Sequence, residues 1–407
     1  MTKVPGEELR KRIEKIATDY RQDGERIFNH ESFKNLFDEL SQSLGKEVKP
    51  RILLAGKTGA GKSSVLNALL GSNVFEIGNI PTTRSNTEQI WESSGGDIVV
   101  VDVPGFAEAE AKTIDGVTYT ENMTRLAELE AHMAILVIKC DDRALEKEHE
   151  FLLGWQKHPI LRDLPVIVVV NQIDKMKPVR FWEPENLNLK TPVNEKEKNI
   201  REFLDYLYGL SSIGEYAAKG LVLPFSAGES FDDPQQYGVI DLREKIYSLL
   251  PDCAKTMFAR LANMKAQEGE RLINYYAAAA AAAVLANIVP GSDALLIVPV
   301  QIGMIVHLSR LHEVELSVAA VQSILSCLSS TLAGRFANQL LISFIPIIKN
   351  IAGPACAFGL TYLMGQIINE MFKNRRLEFS AEEVEKISRR YSDKELKKKY
   401  SESTTIN

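Results

Sequence analysis

Little in this chain points to a disulfide scaffold, a metal cage or a generally basic surface. Its four cysteines, Cys140, Cys253, Cys327 and Cys356, lie far apart and form no C-x-x-C pair. That spacing argues against a cysteine zinc site or a disulfide framework and fits a reducing cytosol. Lys and Arg number 48 against 54 Asp and Glu, a net charge of −6. There is therefore no global excess of positive charge to recruit nucleic acid. The N-terminal "MTKVPGEELRKRIEK" has no apolar stretch after its charges, so no secretory signal is expected. What the chain does have is the composition of a globular protein, 45% hydrophobic and 25% charged. Its 407 residues exceed one ordinary core, so two or three domains are expected.

Residues 1–50 read as amphipathic helices in which Phe33, Leu36, Phe37, Leu40 and Leu44 recur at helical spacing. Residues 51–250 alternate short β-branched runs with helical segments. "RILLAG", "DIVVVDVPG", "AILVIKC", "PVIVVVNQ" and "LVLPFSA" are continuous apolar strands, as in a parallel sheet covered on both faces. "EQIWES", followed by the turn "SGG", adds an antiparallel strand at one edge. The fold class is α/β, a mostly parallel doubly wound sheet. Residues 251–375 are helical and apolar, and residues 376–407 form a charged tail whose Lys and Arg alternate with Glu.

"GKTGAGKSS", Gly56 to Ser64, matches G-x-x-x-x-G-K-[ST] between a strand and the helix-like "VLNALLG". Gly56, Gly59, Ala60 and Gly61 would let backbone N–H groups close around phosphate oxygens, and the helix N-terminus adds its dipole. Lys62 would reach the β- and γ-phosphates, the Ser63 hydroxyl would bind Mg2+, and Ser64 completes the loop. "DVPG" follows the third strand about forty residues later. Asp102 can hold Mg2+, and the Gly105 N–H can sense a γ-phosphate. Between them "PTTR" offers Thr82 and Thr83 as the switch threonine that completes the metal shell, with Thr83 preferred for its place beside Arg84. The strand-ending "NQID" puts Asn171 against a base edge and gives the Asp174 carboxylate to the guanine N1–H and N2–H2 donors. Gln172 stands where a base-stacking Lys is usual. "FSAGES" supplies Ser226 and Ala227, whose backbone N–H can meet guanine O6. The insertion "KPVRFWEPENLNLKTPVNEKEKN" between these motifs reads as a solvated loop and helix.

In this order, the motifs resemble the Era/TrmE-like branch of translation-factor-class P-loop GTPases, over roughly residues 50–250. The resemblance implies GTP and GDP with Mg2+ as ligands, hydrolysis involving Lys62, Thr83 and Gly105, and a homodimer through the GTPase domain. Two departures stand out. Gly59 replaces the potassium-binding Asn of the TrmE-like loop, which removes the usual drive for that dimer. Phe106 stands where Ras-like proteins keep a water-orienting Gln. Era-like relatives often act on RNA or ribosomes, but no KH-type segment or basic surface is evident, so that partner ranks lower.

"ANIVPGSDALLIVPVQIGMIVHLSRL" resembles the YcjF-type domain of unknown function that is fused to Era-like GTPases. A spanning helix needs about 20 apolar residues, and Tyr275 to Val289 and Ala294 to Leu308 each fall short, split by "PGSD". Asp293 suits a helix start, and Pro346 and Pro354 are expected to break the later helices. A packed helical bundle, peripheral membrane contact and spanning helices all remain readings of this module. For the whole chain, three functions fit: a slow GTPase switch controlling the helices, a nucleotide-stabilised scaffold or membrane adaptor, and a membrane remodeller of dynamin or immunity-related GTPase type.

Overall fold

The computed structural model describes residues 48–71, 87–93, 96–102, 113–114, 117–230, 232–285, 293–328, 332, 346–378 and 380–405, with residues 34, 35, 37, 38, 40 and 41. They divide into two units. One spans Lys49–Asn263, and the other comprises Met264–Asn407 with the described residues before Lys49.

The first unit is built on a sheet of strands β1 (Arg51–Ala55), β2 (Thr87–Ser93), β3 (Gly96–Asp102), β4 (Met133–Lys139), β5 (Val166–Asn171) and β6 (Val222–Pro224), in the order β2-β3-β1-β4-β5-β6. β1 runs parallel to β3 and β4, β4 to β5, and β5 to β6, while β2 pairs antiparallel with β3. The apolar runs form strands because both faces are covered: all six residues of β5 are buried, as is Met133–Ile138 of β4. The strands are joined and followed by α1 (Lys62–Leu70), α2 (Tyr119–Glu128), α3 (Glu146–Lys157), α4 (Glu195–Gly209), α5 (Ser211–Ala218), α6 (Val239–Leu249) and α7 (Asp252–Leu261), of which α5 packs on β5 and β6 and α7 on β3. Helix α7 belongs to this unit.

The second unit packs α8 (Lys265–Leu285), α9 (Asp293–Leu311) and α10 (Pro346–Lys373) with α11 (Ala381–Ser388) and α12 (Asp393–Thr405). Tyr276 of α8 is fully buried and its hydroxyl lies 3.2 Å from His307 Nδ1 of α9. Pro346 opens α10, where its missing N–H leaves nothing unpaired. Pro354 lies inside the helix and does not end it. Tertiary packing offsets the proline's cost here: Tyr362 of α10 donates to Glu270 Oε1 of α8 at 2.8 Å and Gln366 donates to Glu270 Oε2 at 2.5 Å. The charged tail is not wholly solvated either. Val384, Ile387 and Leu396 are buried, and Lys399 of α12 donates to Glu270 Oε1 at 2.9 Å. Of the N-terminal apolar stripe, Phe37 and Leu40 are described; Leu40 is fully buried, and Arg310 of α9 donates to the Ser41 carbonyl at 2.6 Å. Phe33, Leu36 and Leu44 lie outside the described residues. Among the described residues, no helix is long and apolar enough to cross a membrane.

Candidate nucleotide site

Strand register decides which loops meet. Leu54 pairs with Asp102, Lys139 with Asn171, and Val170 with Pro224. The carboxyl ends of β1, β3, β4, β5 and β6 therefore share one edge of the sheet, where α/β folds bind ligands.

After β1 the chain turns through Gly59 at φ 81° and Gly61 at φ 87°, left-handed conformations that favour glycine. Gly61 caps α1 without a side-chain hydrogen bond, and no acidic residue stands in the helix's first turn. The first N–H groups of α1, at Lys62, Ser63 and Ser64, thus have no intrahelical acceptor, and the helix end favours an anion. Gly56 and Ala60 are buried, and Lys62, Ser63 and Ser64 are half-buried. Lys62 Nζ donates to the Gly56 carbonyl at 3.1 Å, folding back across the loop.

A second lysine, which the motif does not single out, anchors the same loop. Lys57 Nζ lies 3.0 Å from Asp142 Oδ2 and 3.3 Å from Glu148 Oε2, and also donates to the Ala144 carbonyl. The contact with Glu148 is an ion pair without hydrogen-bond alignment. Glu148 is 1% exposed. Burial pushes its carboxyl up, opposed by the Lys57 ammonium. Burial pulls Lys57 down, but Asp142 and Glu148 together carry it above its ordinary value.

The loop after β5 reaches the loop after β1. Asn171 is 1% exposed and its Nδ2 donates to the Ala60 carbonyl at 2.9 Å. Its Oδ1 is buried with no hydrogen-bond partner among the described residues. Gln172, at φ 66°, donates from Nε2 to the Gly59 carbonyl at 3.0 Å; its amide end thus ties two loops. Asp174 stands in a short 3-10 turn, Ile173–Lys175, half-exposed. Its Oδ1 accepts from Ser226 Oγ at 2.8 Å. Ser226 is fully buried, and Ala227 beside it is 7% exposed. Ile173 N–H donates to the Phe225 carbonyl at 3.3 Å, which holds the two loops side by side.

Gly56, Gly59, Ala60, Gly61, Lys62, Ser63 and Ser64 are thus brought together with Asn171, Asp174, Ser226 and Ala227. Asp102 ends β3 and pairs with Leu54, two residues before Gly56. Ser63 and Asp102 offer hard oxygen donors, the set Mg2+ accepts alongside phosphate and water. Thr82, Thr83, Arg84, Gly105 and Phe106 lie outside the described residues. Sequence reading missed Lys57, Asp142, Glu148 and Lys196. Lys196 carried one legible signal: it is a cation in the first turn of α4, where the helix dipole disfavours it.

Residues 51–172 match the family model described as 50S ribosome-binding GTPase. Over 150 residues the chain is 29% identical to the uncharacterised protein YkfA of Escherichia coli, covering 36% of this chain and 48% of YkfA. It is 30% identical to GTPase Der of Clostridium perfringens over 34% of this chain and 31% of that protein. GTPase Era of Borrelia hermsii matches at 27% identity over 39% of this chain and 55% of its own length. The chain therefore spans between about a third and just over half of these relatives. Taken with the loop geometry, residues 51–172 are a P-loop GTPase domain with Der and Era among its relatives.

Proposed function

We propose that the protein binds GTP and GDP with Mg2+, hydrolyses GTP slowly, and uses the nucleotide state to control its helical unit. The observation that carries this reading is the junction of base and phosphate loops: Asn171 on Ala60 at 2.9 Å, and Ser226 on Asp174 at 2.8 Å. With Oδ1 engaged by Ser226, the other Asp174 oxygen is free to take guanine N–H donors, and Ala227 N–H can meet O6. Lys62 exchanges the Gly56 carbonyl for β- and γ-phosphate oxygens. The N–H groups of the loop and of the first turn of α1 point at charge that grows in the transition state, which is where preorganised donors help most. Mg2+ held by Ser63 and Asp102 would neutralise phosphate charge. Thr83 and Gly105 are proposed to sense the γ-phosphate. Phe106 cannot orient water by hydrogen bonding, hence the slow turnover.

The test is Asp174→Asn, because an amide offers N–H where xanthine presents a carbonyl. A switch from guanine to xanthine diphosphate supports the guanine reading, and unchanged GDP affinity removes it. Control of the helical unit is tested by hydrogen exchange with GDP against a non-hydrolysable GTP analogue. Identical exchange across residues 265–373 would leave the helices a passive appendage. The family description names the large ribosomal subunit as a partner to try, by nucleotide-dependent co-sedimentation. A homodimer and peripheral membrane contact are checked by sedimentation velocity and by flotation with liposomes.

A further inference from the structure

The insertion between the two base-reading motifs is the expected loop and helix, its loop exposed or half-buried, yet Lys196 and Glu197 at the start of α4 are buried. Asn194 and Glu197 form a capping box at the start of α4. Glu197 also accepts from the Val193 N–H at 2.6 Å and the Asn188 N–H at 3.1 Å. This fixes the intervening Lys196, whose relative exposure is 0%. A lysine buried completely in a helix's first turn needs partners for its ammonium. Its partners are the carbonyl oxygens of Asp174 and, at 2.8 Å, Met176, with the Trp182 ring centroid 5.3 Å away. Trp182 in turn donates from Nε1 to the Gln235 carbonyl at 3.1 Å and meets Tyr237 edge-on at 6.3 Å. Tyr237 pairs through both backbone groups with Ser226 at 3.0 Å, and Ser226 Oγ holds Asp174 Oδ1. The contacts close a ring: Asp174, Lys196, Trp182, Tyr237, Ser226 and back to Asp174.

From this ring we infer that Lys196 and Trp182 are positioning residues for guanine specificity, holding the Asp174 carboxylate at the angle at which it meets two base donors at once. The inference rests on the proposed guanine site and deepens it. Gln172 ties its amide end to Gly59, so stiffness in the base loop is supplied from behind, by an ammonium that grips the loop's own carbonyls. Guanine presents N1–H and N2–H2 to one carboxylate, whereas hypoxanthine presents N1–H alone. A carboxylate that rocks loses the second contact first. A brace of this kind therefore acts on the preference for guanine over hypoxanthine more than on nucleotide affinity in general.

The experiment measures GDP, IDP and ADP affinities of the full chain by competition against a fluorescent GDP. Wild type is compared with Lys196→Met, which keeps the stem and removes the ammonium, and with Trp182→Leu, which removes the ring and its N–H at a half-buried position. The expected result is a fall in the GDP-to-IDP preference of at least fivefold in Lys196→Met and about threefold in Trp182→Leu, with IDP affinity changed less than twofold. A merely structural role would weaken GDP and IDP alike. An unchanged preference in folded Lys196→Met overturns the inference; should that variant not fold, an unchanged preference in Trp182→Leu does so. If wild type itself fails to favour GDP over IDP and ADP, the guanine reading falls, an outcome distinct from failure of the brace.

Discussion

Replacing Gly61 with Ala adds one methyl group where two separate costs meet. The backbone sits at φ 87°, and an L-residue in the left-handed region costs about 1–2 kcal/mol. The new Cβ would lie 2.3 Å from Asn171 Nδ2 and 3.4 Å from Gln172 Nε2. Asn171 must withdraw, breaking its buried hydrogen bond to the Ala60 carbonyl, a loss of about 1–3 kcal/mol. The variant loop relaxes when empty and must be restored to bind. The sum, about 2–5 kcal/mol, therefore appears as nucleotide affinity weakened by about 30-fold to 4,000-fold. Gly59→Ala is the control. Its φ is 81°, but an added Cβ meets nothing within 4 Å, so only the backbone cost applies and the loss is about 5-fold to 30-fold. Both variants are titrated with fluorescent GDP after urea unfolding shows them folded. Equal losses in the two would refute the claim that Asn171 couples base loop and phosphate loop through Gly61.

Lys57→Met strands Glu148, and unfolding of the nucleotide unit at pH 7 should cost about 3 kcal/mol less than in wild type. Because burial raises the Glu148 carboxyl, the folded state holds its proton more tightly than the unfolded chain. The deficit should therefore shrink as pH falls towards the ordinary carboxylate value; a pH-independent deficit in urea midpoints contradicts the buried pair. In the helical unit, burial raises the Glu270 carboxyl, but Lys399, Tyr362 and Gln366 together hold it below its ordinary value of 4.5. Its stabilisation is thus present above about pH 4.5 and lost as pH falls below it. Glu270→Gln should be less stable at pH 7 and converge with wild type in acid, read by circular dichroism in urea.

The parts of the fold legible in the sequence were those set by local pattern. "RILLAG" and "VVVNQ" announce buried parallel strands by continuous apolar runs, and "GKTGAGKSS" fixes a loop whose glycines sit at positive φ. Asn171 and Asp174 could be read because a strand end followed by N-x-x-D is a short-range signal. Long-range packing escaped. Nothing local tells that Pro354 is carried through a helix by its neighbours, or that Lys399 finds Glu270, 129 residues away. Lys196 was hidden for the same reason: its partners, the carbonyls of Asp174 and Met176, lie 22 and 20 residues earlier in the chain.

The central claim, guanine nucleotide binding and turnover at the Gly56–Ser64 loop, is tested most directly by phosphate release from GTP and from ATP with Mg2+. Wild type and Lys62→Ala are compared under multiple turnover. The account predicts slow release from GTP, none above background from ATP, and loss of GTP turnover in Lys62→Ala. Equal release from both nucleotides, or undiminished release in the variant, would contradict it.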